Sequence, residues 1–216
     1  MYEVDFRQFH TIAILGGSFN PIHNGHLCMA SQVLKEHPKI EQLIIMPNHK
    51  PAYKEDSEFV SEKHRLRMAS LAVQDYKSLA VSDFEIQRGG VTYTVETLEH
   101  LYRINPDINI YFVIGDDSLF SLHNWYRFED ILKLCHILVA ARGETSKEIG
   151  CKILELQSRY PFANISMMSM KPFPVSSSEI RIRCQNNEDI TGLVPTAVQS
   201  YIKENKLYHM GNEDSV

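Results

Sequence analysis

Ile12-Ala13-Ile14-Leu15-Gly16-Gly17-Ser18-Phe19-Asn20-Pro21-Ile22-His23-Asn24-Gly25-His26-Leu27 carries the first passage from strand to helix. The apolar run Ile12–Leu15 fits a buried strand that stops at the glycine pair. Two glycines let the backbone turn tightly and approach a ligand. Pro21 ends the extended path, and a helix begins near Asn24. Its apolar residues Leu27, Ala30, Val33 and Leu34 recur at helical spacing as far as about Lys35. The free N–H groups and dipole of such a helix start attract anions. His23 and His26 stand three apart, so both imidazoles lie on one face of the first turn, where two donors suit a triphosphate. An isolated HxxH pair is more often a pair of helix caps. The whole string from Gly16 to Leu27, placed at a strand-to-helix turn, is far more specific.

Outward from this stretch, strand and helix patterns alternate. Leu43-Ile44-Ile45-Met46 is an apolar run closed by Pro47-Asn48, and residues 62–75 read as a helix. A strand near 79–86 and a helix near 94–104 follow. Then come a strand over 110–114 ending at Gly115, a helix around 127–134, a strand over 136–141, a helix near 145–158 and a strand near 164–168. A last amphipathic helix starts at Pro195. This alternation calls for an α/β fold: a Rossmann-like doubly wound parallel sheet covered on both faces, with a small helical part at the C-terminal end. Such sheets bind ligands outside the carboxyl ends of their strands. Each informative motif follows a predicted strand, so all of them can converge on one crevice.

The whole chain, 216 residues with 44% apolar and 23% charged positions, has ordinary globular composition. We expect one domain over residues 1–216, with its core at about 11–208 and polar tails at 1–10 and 211–216. No apolar run approaches the roughly 20 residues that span a bilayer, and the acidic start Met1–Asp5 lacks a signal-peptide pattern. Cys28, Cys135, Cys151 and Cys184 are scattered without a CxxC pair, as expected of free thiols in the cytoplasm. The formal net charge of −5, with lysines and arginines dispersed, argues against nucleic acid as a partner.

The string GGSFNPIHNGHL resembles the HxGH signature of the adenylyltransferase superfamily, and its wording is closest to the nicotinate-mononucleotide adenylyltransferases. The resemblance extends over about residues 11 to 208. Val175-Ser176-Ser177-Ser178-Glu179-Ile180-Arg181 is similar to the second signature, ISSTxIR, with Val175 and Ser178 in place of isoleucine and threonine. Hydroxyls and N–H groups at a helix start hold phosphate oxygens, and Arg181 adds a planar charged fork. The resemblance implies strand order 3-2-1-4-5-6 and adenylyl transfer from ATP to a pyridine mononucleotide. It also implies Mg²⁺ bridging phosphate oxygens, in keeping with the lack of a dense cluster of metal-ligating residues.

Gly16, Gly17, Ser18, Phe19, His23, His26, Ser177, Ser178 and Arg181 are therefore expected at ATP, with His23, His26 and Arg181 serving the reaction. Asp117, in Gly115-Asp116-Asp117, resembles the GxD turn that meets ribose. Arg142 stands where the family has an arginine before Pro-Gly, although Gly143-Glu144 follows here. For the second substrate, Met46–Lys54 is similar to the MPNxxPPHK loop, with Ala52 and Tyr53 replacing proline and histidine. This gives Asn48 and Lys54. Thr92-Tyr93-Thr94-Val95-Glu96-Thr97 is similar to SYTxDT. It reads as a helix start with Thr94 as its cap, where Thr92, Thr94 and backbone N–H groups could receive a carboxylate. Trp125-Tyr126 matches the WY pair, and a tryptophan face suits a pyridinium ring. His64-Arg65 resembles an HR pair with a structural role.

Close rivals share the chemistry: a preference for nicotinamide mononucleotide, or the pantetheine-phosphate enzyme, whose chains are shorter and lack the TYTxET and WY stretches. Among other classes, an aminoacyl-tRNA synthetase core is opposed by the acidic charge and short chain. A non-catalytic nucleotide sensor would be expected to lose His26 or Arg181, yet both are present. Oligomeric state is open, a homo-oligomer included.

Overall fold

The computed structural model describes residues 2, 4–51, 60–142, 146–170 and 173–209, with the side chains of Pro51, Arg142, Ser169 and Met170 left out. Its strands are β1 (Thr11–Gly17), β2 (Gln42–Pro47), β3 (Lys50–Pro51), β4 (Leu79–Val81), β5 (Val91–Thr92), β6 (Asn109–Gly115), β7 (His136–Arg142) and β8 (Ile165–Met170). The helices are α1 (Asn24–Glu36), α2 (Glu62–Val73), α3 (Phe84–Arg88), α4 (Thr94–Ile104), α5 (Asp116–Ser121), α6 (Phe128–Leu134), α7 (Ser146–Arg159), α8 (Ser177–Gln185) and α9 (Thr196–Glu204). Six strands form one sheet in the order β4-β2-β1-β6-β7-β8, and every pairing is parallel. Counted within this sheet alone, the order is the expected 3-2-1-4-5-6. The chain reverses direction across the sheet at β1 and β6, and that switch point opens the crevice.

Alternation along the strands divides the core in two. Ala13 and Leu15 of β1, Leu43 and Ile45 of β2, Val113 of β6 and Leu138 of β7 face α1, α2, α8 and α9. Ile12, Ile14, Ile44, Met46, Ile110, Phe112 and Ile137 face α4, α6 and α7. Both faces are covered, which is why these strands read as unbroken apolar runs and not as alternating ones. A second, two-stranded parallel sheet joins β3 to β5, with Lys50 opposite Val91 and Pro51 opposite Thr92. Among the described residues no helix is long and apolar enough to cross a membrane.

Two expectations change. The strand expected near 79–86 ends at Val81, and Phe84–Arg88 is helical. Ser82 N–H makes the last bond of the ladder, to Ile45 O at 3.0 Å, after which Ser82 Oγ accepts from Phe84 N–H and turns the chain. The glycine pair does not end β1 either. Gly16 and Gly17 are its last two residues, opposite Met46 and Pro47 of β2, and the turn comes after them.

Candidate active site

The turn beyond β1 is made by Phe19, at φ 47°, and by a cis bond between Asn20 and Pro21. The glycines serve close approach. A Cβ on Gly16 would lie 3.3 Å from the Phe112 ring, and one on Gly17 3.3 Å from the Phe19 ring. Long-range bonds brace the turn from behind. Asn20, 3% exposed, accepts at Oδ1 from Tyr208 O–H at 2.9 Å and from Val60 N–H at 3.3 Å. Its carbonyl accepts from Arg181 at 3.1 Å, and the Pro21 carbonyl accepts from Ser177 Oγ at 2.8 Å. Ser176 is the N-cap of α8, its hydroxyl accepting from Glu179 N–H at 3.1 Å. The second signature is thus folded onto the first.

His23 is the N-cap of α1 and is buried, and His26 lies one turn on. Their rings stack with centroids 3.7 Å apart and planes 24° from parallel. His23 N–H donates to His26 Nδ1 at 3.2 Å. With Nδ1 accepting, the proton of a neutral His26 ring sits on Nε2, whose N–H becomes the donor. Phe19 meets the same ring edge-on at 5.0 Å. Gly25 is needed here, since a Cβ would come within 3.0 Å of His23 Nδ1 and 3.3 Å of Val175.

At the carboxyl ends of β1 and β6 lies a cavity of about 400 Å³. Gly16, Gly17, Ser18 and His26 form one end. The rest of its wall includes Asn48, Glu85, Thr92, Tyr93, Thr94, Phe112, Trp125 and Tyr126. Phe112 meets Trp125 at 6.2 Å with planes at 90°, and Tyr93 meets Tyr126 at 4.8 Å, so this part of the wall is aromatic. The small sheet holds it together: His49 Nδ1 bonds to Gly90 O at 3.0 Å beside the β3–β5 pairing. Thr92 Oγ1 is buried without a hydrogen-bond partner among the described residues.

Nine of the expected residues line this cavity: Gly16, Gly17, Ser18, His26, Asn48, Thr92, Thr94, Trp125 and Tyr126. Phe19 and His23 are buried behind the turn, while Ser177, Ser178 and Arg181 bind the turn and one another from outside the cavity wall. Asp117 is exposed and also outside that wall, which Gly115 and Ser118 form instead. Thr94 is the first residue of α4 and not its cap. Tyr93 occupies the cap position and makes no side-chain cap bond. Arg142 ends β7, and its side chain lies outside the described residues, as do Lys54, Ala52, Tyr53, Gly143 and Glu144.

One residue expected to be structural gains definite partners, and another gains a role that the sequence did not give it. Arg65, 2% exposed on α2, donates to Ser18 O at 2.8 Å, Asn48 Oδ1 at 3.4 Å and His49 O at 3.0 Å. It ties the turn at one end of the cavity to the loop at the other. Its burial lowers the guanidinium's affinity for its proton, partly offset by Glu62. Its partner in the HR pair, His64, bonds through Nδ1 to Tyr201 O–H at 2.9 Å, away from the cavity. The second is Glu85, a buried acid in the cavity wall. No signal in the sequence singles it out, since the stretch Val81–Ile86 holds two acids, Asp83 and Glu85. Among the described residues no three His, Cys, Asp or Glu side chains converge as a metal ion would require.

A parallel sheet with this switch point, ending in a turn that carries paired histidines, defines a nucleotidyltransferase class. The cytidylyltransferase-like family model matches residues 14–183. A "Probable nicotinate-nucleotide adenylyltransferase" of Lachnoclostridium phytofermentans is 39% identical, over 91% of this chain and 98% of its own. One of the same name from Dehalococcoides mccartyi is 38% identical, over 90% of this chain and 95% of its own. The chain therefore belongs to the cytidylyltransferase-like family, within its nicotinate-nucleotide adenylyltransferases. In fold it is similar to the Plasmodium falciparum nicotinic acid mononucleotide adenylyltransferase complexed with NaAD. The TM-score is 0.74 at 20% identity, with 92% of this chain and 97% of that one covered.

Proposed function

We infer that this chain transfers the adenylyl group of ATP to nicotinate mononucleotide, forming nicotinate adenine dinucleotide and pyrophosphate. The observation that carries this is the stacked His23–His26 pair at the glycine-lined end of a cavity whose farther wall is aromatic. One end suits a phosphate chain and the other a flat heterocycle.

In this reaction an ionised phosphate oxygen of the mononucleotide attacks the α-phosphorus of ATP. The bond from that phosphorus to the bridging oxygen breaks, and pyrophosphate leaves with the electron pair. The nucleophile is charged at neutral pH, so the protein supplies positioning and charge stabilisation and needs no base. His26 Nε2–H donates to the α-phosphate. His23, Ser178 and Arg181 hold the departing phosphates, and Gly16, Gly17, Ser18 and Ser177 shape the turn on which they rest. Asp117 and Arg142 are assigned to the nucleoside half. Asn48 and Lys54 take the mononucleotide phosphate, Trp125 and Tyr126 stack on its ring, and Thr92 and Thr94 lie towards its carboxylate. Among the described residues no cluster of side chains could hold a metal ion, so a divalent ion such as Mg²⁺ would come with the triphosphate and would supply neutralisation of its charge.

The test is pyrophosphate release from ATP with Mg²⁺, run in parallel with nicotinate mononucleotide, nicotinamide mononucleotide and phosphopantetheine. Turnover mainly with nicotinate mononucleotide is expected. A preference for nicotinamide mononucleotide would keep the mechanism and discard the carboxylate site, and turnover with phosphopantetheine alone would overturn the reading.

A further inference from the structure

Glu85 is a carboxyl group that the reaction above does not use. It is the second residue of α3, 5% exposed, and stands in the cavity wall with Thr92, Tyr93 and Thr94. Thr97, fully buried on α4, donates its hydroxyl proton to Glu85 Oε1 at 2.8 Å, which fixes the acid against the first turn of that helix. Among the described residues, charged neighbours are few. Arg88 and Asp83 belong to the α3 segment, and the Arg88 guanidinium is already paired with Glu96 of α4 at 3.0 Å. His100 of α4 stacks on Phe84 at 4.4 Å. β2, on which α3 packs, carries no titratable side chain, and the cavity adds His26 and the phenols of Tyr93 and Tyr126. Burial pushes the Glu85 carboxyl up to about 7, against the opposing pull of the Thr97 hydrogen bond and Arg88.

We propose that Glu85 selects the substituent on the pyridine ring: as the neutral acid it admits a carboxylate, and as the carboxylate it favours a carboxamide. The proposal rests on the adenylyl-transfer reading above, which lays the ring on the Trp125 wall with its substituent towards the start of α4. Two carboxylates side by side in one partly enclosed cavity repel, so nicotinate binding and Glu85 ionisation oppose each other. A carboxamide N–H instead donates to ionised Glu85. By reciprocity, a bound ring carboxylate holds Glu85 in its protonated form.

The ratio of kcat/KM for nicotinate mononucleotide to that for nicotinamide mononucleotide, followed from about pH 6 to about pH 8.5, isolates this group. Titration of phosphates and histidines is common to both substrates and cancels. The wild-type ratio is expected to fall about tenfold or more over that range, and the Glu85→Gln ratio to stay flat, because an amide does not titrate. Thr97→Val, which removes a bond to the ionised form, is expected to move the fall to higher pH. If Glu85→Gln does not fold, the wild-type and Thr97→Val profiles decide the matter. A flat wild-type ratio with normal turnover, or an equal fall in Glu85→Gln, overturns the role of Glu85 alone. Absence of turnover with both mononucleotides overturns the transfer reading and this proposal with it.

Discussion

The two ends of the cavity are built differently. The phosphate end is nearly one continuous piece of chain, Gly16 to His26, backed by α8 and by Tyr208. The pyridine end is assembled from separate segments around Asn48, Glu85, Thr92–Thr94, Phe112 and Trp125–Tyr126, joined by the β3–β5 pairing and by ring contacts. A donor fixed by its own turn is suited to the reacting atoms, where small displacements are costly. Contacts spread over several segments are suited to binding, where each contributes modestly and one can be lost. Mutations at the first end should therefore lower kcat, and those at the second should raise KM.

The largest effect is expected for His26→Ala, at least ~100-fold in kcat, the scale for losing one transition-state donor. Stopped-flow or steady-state pyrophosphate release, with a thermal melt to confirm folding, checks this, and a near-normal kcat would remove His26 from the chemistry.

At the pyridine end the corresponding effect is on stability. Glu85 binds its proton more tightly folded than unfolded, so ionisation favours the unfolded chain. Its contribution is complete below pH 4.5, the ordinary value, and is lost as pH rises through about 7. The displacement corresponds to about 3 kcal/mol. Denaturant melts of wild type should lose that much between about pH 4.5 and about pH 8 relative to Glu85→Gln, and parallel curves would contradict it.

A smaller effect, about tenfold in KM for the mononucleotide with little change in KM for ATP, is expected for Trp125→Ala, from the loss of ring stacking. A defect confined to ATP would exchange the assignments of the two ends. The smallest belongs to Ser177→Ala, which removes the hydrogen bond to the carbonyl of Pro21, a buried residue, at a cost of about 1 kcal/mol in urea unfolding. No change would mean that the brace from α8 rests on Arg181 alone.

The same contrast explains what the sequence could tell. The sheet was legible because four of its strands are apolar runs closed by turn residues, its order came only from the family resemblance, and the histidine pair was legible because its spacing is local. The misread segment, 84–88, is too short for a helical period to appear. β3 and β5 have two residues each and exist only because they pair across 41 positions of chain. The braces of the turn were hidden for the same reason, as Asn20 is held by Tyr208, 188 residues away in sequence. The HR pair gives Arg65 a structural role, but only its bonds to Ser18, Asn48 and His49 show that it joins the two ends. Glu85 reads as a solvated acid by type, and only the packing of α3 and α4 makes it a buried one.

The most direct test of this division is kcat at saturating nicotinate mononucleotide and ATP for His26→Ala and Trp125→Ala side by side. Saturation should bring Trp125→Ala to within about threefold of wild type while His26→Ala remains ~100-fold below it. Full recovery of His26→Ala by added substrate, or a Trp125→Ala kcat depressed as deeply, would contradict it.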